Sequence, residues 1–163
     1  MTQNRFSATI VFKILAVLLV VIAFSACQSE TTEATVKAIT LPTTDVDADW
    51  KEFINQVARS KFVKGKTKKL YVRFLGSQED TKGHLRDTIN IFTRGVENGT
   101  LQVFGSQNSR NMSELLVEAF NTEYIDGKLN GSRFVFIGSR QHETAVREAA
   151  IKSGVTFEFY PID

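Results

Sequence analysis

From residue 69 onward the chain alternates short apolar runs with segments of helical period. That alternation limits the possible folds more than any single motif does. Residues 70–75 (LYVRFL), 101–104 (LQVF), 134–137 (FVFI) and 155–160 (VTFEFY) read as strands. Between them Leu85, Ile89, Phe92 and Val96 fit one helical face. Met112, Leu115, Leu116, Ala119 and Phe120 fit a second, and Val146, Ala149 and Ala150 a third that Gly154 stops. Strands alternating with helices form right-handed βαβ units and hence a parallel sheet. The expectation is an α/β fold, a small three-layer or two-layer βαβ domain with about four mainly parallel strands. Residues 134–137 are apolar on both faces and belong in the centre. Val155, Phe157 and Phe159 alternate with Thr156, Glu158 and Tyr160 ahead of Pro161, the pattern of an edge strand. Asn98-Gly99, Asp126-Gly127 and Asn130-Gly131 mark turns, and residues 124–130 read as a loop.

An amphipathic helix precedes this core. Val46, Trp50, Phe53, Ile54 and Val57 share one face, and Asp45, Asp47 or Asp49 can cap its start. Such a face ordinarily packs on its own domain; the alternative is a partner-binding face carrying Trp50 and Phe53. Residues 59–69 (RSKFVKGKTKK) then hold six bases and no acid: Arg59, Lys61, Lys64, Lys66, Lys68 and Lys69. Most charge runs are solvated loops. The functional alternative is contact with anionic lipid head groups, lipopolysaccharide, cell-wall polymer or an acidic protein. Phe62 is the only stacking platform within the run and no nucleic-acid motif surrounds it, so no nucleic acid is expected.

Three strands end in one form: two apolar residues, Gly, Ser, then a long polar residue. These are Gly76-Ser77-Gln78, Gly105-Ser106-Gln107 and Gly138-Ser139-Arg140. A parallel sheet places all three loops on one edge, where open α/β sheets commonly bind ligands. Gly allows a sharp turn and Ser can cap the next helix, which is turn chemistry with no ligand required. The ligand reading would use Ser77, Gln78, Ser106, Gln107, Ser139, Arg140 and His142, with Arg140 gripping a carboxylate or phosphate through two hydrogen bonds. Neither a dinucleotide fingerprint nor a phosphate-loop signature occurs, and no cofactor is expected.

His84 and His142 are the only histidines, each near a helix start beside one of these loops. If the first and third strands were neighbours, both could face one cleft with Glu79, Asp80 and Glu143. The spacing fits no metal motif, and Gly138-Ser139-Arg140 is not a nucleophile elbow. No catalytic residue and no metal ligand is assigned; exposed helix-start histidines are the simpler account.

The N-terminus concerns location. Arg5 and Lys13 precede an apolar run within residues 14–27 (ILAVLLVVIAFSAC), and no acid comes before Glu30. The uninterrupted apolar part is about 11–13 residues, short of the ~20 a membrane-crossing helix needs, so a secretory signal fits better than a permanent span. Phe24-Ser25-Ala26-Cys27 resembles the lipobox of bacterial lipoproteins, with Phe24 where the family commonly has Leu. The resemblance covers residues 1–27. It implies cleavage after residue 26, acylation of Cys27 and a lipid anchor; the absence of Asp at Gln28 implies the outer rather than the inner membrane under the enteric sorting rule. Multiple acyl chains anchor stably where one does not.

On this reading residues 1–26 are a signal peptide, 27–44 the lipidated cysteine and a flexible tether, and 45–163 one α/β domain. Removing residues 1–26 takes away Arg5 and Lys13, so the precursor's 20 bases and 18 acids become 18 and 18. With Cys27 acylated no thiol remains. The expected function is that of a periplasm-facing envelope lipoprotein, its non-catalytic domain serving as a binding, assembly or accessory subunit with envelope proteins or the cell wall. Alternatives are a small-ligand or anion binder using the Gly-Ser loops and, less favoured, a periplasmic hydrolase.

Overall fold

In the computed structural model, which describes residues 38–163 except 94, 95 and 124, the four strand patterns form one parallel sheet. The signal stretch, Cys27 and residues 28–37 lie outside the described residues. The elements are α1 (Asp47–Lys61), β1 (Lys69–Phe74), α2 (Thr81–Thr93), β2 (Thr100–Gly105), α3 (Ser109–Phe120), β3 (Arg133–Gly138), a 3-10 turn (Arg140–His142), α4 (Glu143–Lys152) and β4 (Thr156–Pro161). Strand order is β1-β2-β3-β4. Val72 lies opposite Val103, Val103 opposite Val135, and Val135 opposite Glu158.

Consecutive order has a geometric consequence. Right-handed crossovers that all step the same way carry their helices over the same face. So α2, α3 and α4 share one face, and the reverse face is left to α1, giving three layers. On the three-helix side Phe92 stacks on Phe120 at 4.6 Å and Phe104 on Phe134 at 5.2 Å, beside Met112, Leu116 and Val146. On the other side Trp50, Phe53, Ile54 and Val57 cover Leu101, Val103, Val135 and Ile137. Fully burying one such large side chain contributes about 1.5–3 kcal/mol. The inner strands β2 and β3 are buried almost throughout, which is why 134–137 lacks a polar face; β4 is an edge, as its alternation implies.

Two local details differ from the sequence expectations, and a third was not anticipated. Val46, not an aspartate, stands at the N-cap of α1 and makes no capping side-chain bond, so it lies outside the buried face. The compact unit begins at Ala38, upstream of the expected boundary at 45. Residues 38–44 are held against α1: Ile39 packs on its apolar cluster, and Trp50 Nε1 donates to the Thr44 carbonyl at 2.8 Å, giving a buried indole the acceptor it needs. Finally, Arg133 seals the far end of α1. It donates to the Lys61 carbonyl at 3.1 Å and from Nε to Glu158 at 2.8 Å, while Lys61 reaches the other Glu158 oxygen at 3.2 Å. A cation at a helix C-terminus meets the negative end of the helix dipole.

Candidate functional site

The three Gly-Ser loops do meet on the C-terminal edge of the sheet, since their strands are parallel and adjacent. None of the three glycines has a positive φ, so turning is not what selects them. Close approach is. A Cβ on Gly76 would sit 2.9 Å from Asp47 Oδ2, and on Gly105 2.9 Å from both Ile54 Cδ1 and Ile137 Cβ. One on Gly138 would strike the Phe136 ring and lie 2.5 Å from Ser109 Oγ.

The serines do not cap the following helices either. Ser106 is buried and laces two loops: its hydroxyl donates to the Leu75 carbonyl at 2.7 Å and accepts from Asn108 N–H at 3.0 Å. Asn108 caps α3 by accepting from Asn111 N–H, and Asp80 accepts from Lys82 N–H at the start of α2. Ser139 N–H donates to Ser109 Oγ at 2.7 Å, tying the third loop to α3.

Five further donors along this edge point at the chain's own carboxylates. Ser77 N–H donates to Asp47 at 3.1 Å, and Gly76 N–H to Glu79 at 3.0 Å. Gln107 Nε2 donates to Asp45 at 2.7 Å. Ser139 Oγ and Arg140 N–H both donate to Asp163, the latter at 3.1 Å, with the Arg140 guanidinium 3.9 Å away. The Ser139 hydroxyl and then the Arg140 N–H hold the Asp163 carboxyl below its usual range. Internal anions thus sit where an external anion would bind at strand ends and helix starts. Two of the three aspartates expected to cap α1 supply them. Gln78 remains exposed and carries no hydrogen bond of this set.

The histidines are not brought together, because β2 separates β1 from β3. His142 is at the end of the 3-10 turn, half-buried and 3.1 Å from Gln141. His84 joins a chain of polar contacts: Arg73 of β1 donates to its Nδ1, and its Nε2 lies 3.2 Å from Glu79. Among the described residues no group of three or more His, Cys, Asp or Glu is placed to hold a metal ion.

A second polar feature escaped the sequence reading. Beneath α2, Gln102 is wholly buried with neither amide atom bonded, Thr88 is wholly buried with its hydroxyl unbonded, and Arg73 Nε is buried without a partner. Tyr71 of β1 lies opposite Gln102, and Thr88 follows His84 by one helical turn, so these groups share the β1–β2–α2 seam. The signal was there in β2: Gln102 interrupts LQVF on the face that Phe104 buries.

The basic run divides in two. Lys61 is bound to Glu158, Lys69 to Glu97 at 2.6 Å, and Arg59 lies 3.9 Å from Glu52. Lys64, Lys66 and Lys68 are exposed and form no salt bridge among the described residues, although the Lys68 charge is felt by Glu97. No helix among the described residues is long and apolar enough to cross a membrane.

No protein-family model matches this sequence, and neither the curated proteins nor the solved structures yields a match.

Proposed function

We propose that the chain is a lipid-anchored protein of the cell envelope, held through Cys27, whose α/β domain is a non-catalytic binding or assembly module facing the periplasm. The anchor rests on the order of positive residues, apolar run, small residues and cysteine in residues 5–27. What carries the domain's part of the reading is the C-terminal edge of the sheet. There the loop donors are engaged by Asp45, Asp47, Glu79 and Asp163, which favours a structural use of that edge over a ligand site. Consecutive strand order points the same way, since a strand-order reversal is what opens the binding crevice of doubly wound sheets.

Mass spectrometry of the native protein tests the anchor: an acylated N-terminal Cys27 is expected, and a retained Met1 or a bare thiol at position 27 overturns it. Mild crosslinking in intact cells tests the module. Reproducible capture of the same envelope proteins is expected, and recovery of the uncrosslinked monomer alone rejects an assembly role.

A further inference from the structure

Residues 62–68, at the N-terminal end of the sheet, form a rigid turn that presents apolar and basic side chains together. Phe62 is 44% and Val63 41% exposed. The turn holds them outward through its own bonds. Lys66 and Thr67 N–H both donate to the Val63 carbonyl, at 3.0 and 2.8 Å, and Val63 N–H donates to the Thr67 hydroxyl at 3.2 Å. Gly65 takes the left-handed conformation at φ +84°, and Lys68 N–H is stitched to the Gly99 carbonyl at 2.8 Å. The surface is therefore preorganised, so little ordering cost opposes its use.

The same turn carries Lys64, Lys66 and Lys68, exposed bases of the run that form no salt bridge among the described residues. Basic and exposed apolar side chains on one turn suit an anionic lipid surface: the cations meet head groups while the apolar side chains enter the acyl boundary. The path of the chain supplies an independent argument. Thr44 is pinned at Asp49 and Trp50, and residues 40–44 line a groove of about 380 Å³ with Asp49, Glu52, Phe53 and Gln56. Followed upstream from Thr44, the backbone thus runs along α1 towards the end that carries the basic turn. Cys27 is 11 residues upstream of Ala38, a reach of at most about 40 Å at full extension.

We infer that the turn at Phe62, Val63, Lys64, Lys66 and Lys68 docks the domain onto anionic phospholipid, seating its N-terminal sheet edge on the membrane that the anchor enters. The inference rests on the proposed anchor, and the test separates the two. The full processed chain, extracted in detergent and carrying Phe62→Trp, is reconstituted into vesicles of phosphatidylcholine alone or with phosphatidylglycerol, both bearing brominated acyl chains. Trp50 is buried and supplies the same background in each. Quenching of the new indole is expected only in the anionic vesicles. Replacing all three lysines by Glu should abolish it, since each lysine near an anionic surface shifts the docking equilibrium about fivefold and three together shift it roughly a hundredfold. Raising salt towards 1 M should release it, the screening length shrinking from about 10 Å to about 3 Å. Equal quenching in both vesicles overturns the anionic docking, and none in either while the chain still floats with them overturns it too and turns the patch towards a protein partner. Loss of flotation from both instead overturns the anchor.

Discussion

The two ends of the sheet are built on opposite plans. At the C-terminal end the loops are drawn in on themselves: three glycines permit close approach, two buried or half-buried serines lace loop to loop, and four carboxylates occupy the donors. At the N-terminal end a turn bonds within itself, back to the end of α1 and to Gly99, leaving lysines and two apolar side chains in solvent. The usual expectation for parallel α/β sheets puts function at the C-terminal end. That expectation depends on a strand-order reversal, and a sheet numbered straight across from β1 to β4 has none. Here α1 and its aspartates cover the strand ends instead, and the outward-facing chemistry is displaced to the other end.

The sharpest way to break this contrast is to place a methyl group at each end. Gly138→Ala puts a Cβ into the Phe136 ring and against Ser109 Oγ, the acceptor that holds Ser139 N–H. Overpacking of that kind costs about 1–3 kcal/mol, and the upper part of that range is expected because a ring and a hydrogen bond must both move. Gly65→Ala meets nothing within 4 Å and carries only the strain of its positive φ, about 1 kcal/mol. Urea unfolding of the two variants should separate them with unchanged m-values. Equal losses would mean the C-terminal end is no more tightly packed than the turn.

A change of opposite sign is expected in the seam that leads inward from Arg73 and His84. Gln102→Met keeps the length of the side chain and removes two buried atoms that have no partner. Since an unsatisfied buried polar group costs about 1–3 kcal/mol, the variant should be more stable by about 1–2 kcal/mol. Thermal melting decides: a comparable loss would show that the amide is hydrogen-bonded in solution and that the seam is a polar site rather than a strained core.

Much of this was legible in advance, for physical reasons that differ by feature. Residues 134–137 announced a central strand because a doubly covered strand has no use for polar side chains, and 155–160 announced an edge by alternation. Glycine turns at 99, 127 and 131 were readable because positive φ demands glycine. Strand order was not, since nothing local in a βαβ chain states which strand neighbours which; the possible His84–His142 cleft depended on that choice. Nor were the roles of Asp45, Asp47 and Asp49, whose partners Gln107 and Ser77 lie 62 and 30 residues away in two of the three cases. The Gly-Ser loops were found correctly as a set but for a local reason, turning and capping, whereas the structure uses them for contacts between loops. The pairing of Lys61 and Arg133 with Glu158 likewise joins residues too far apart in sequence to be read from spacing.

If the C-terminal edge is closed by internal carboxylates, opening it should create what the wild type lacks. Inorganic phosphate is expected to leave the wild-type melting temperature unchanged. The double variant Asp47→Asn, Asp163→Asn frees the Ser77, Ser139 and Arg140 donors from charged acceptors, so it should melt lower and regain part of the loss as phosphate is added. Stabilisation of the wild type by phosphate would return the edge to the ligand-binding reading.

The smallest effect compares the two ends through protons. Asp163 is held below its usual value near 3.8 by the Ser139 hydroxyl and the Arg140 N–H. Burial pushes Glu158 up, but the Arg133 and Lys61 hydrogen bonds outweigh it and leave the carboxyl below its usual value near 4.5. A carboxyl depressed in the folded state stabilises it fully above the unfolded-state pKa, and that stability is lost as pH falls through the folded value. Both ends should therefore loosen below about pH 4. Asp163 is exposed and solvent-screened, whereas Glu158 is three-quarters covered and bridges two cations. Glu158→Gln should thus flatten the acid limb of the stability–pH curve more than Asp163→Asn does. The reverse order would mean that charge holds the C-terminal end more firmly than it holds the seal beneath α1, and that packing alone separates the two.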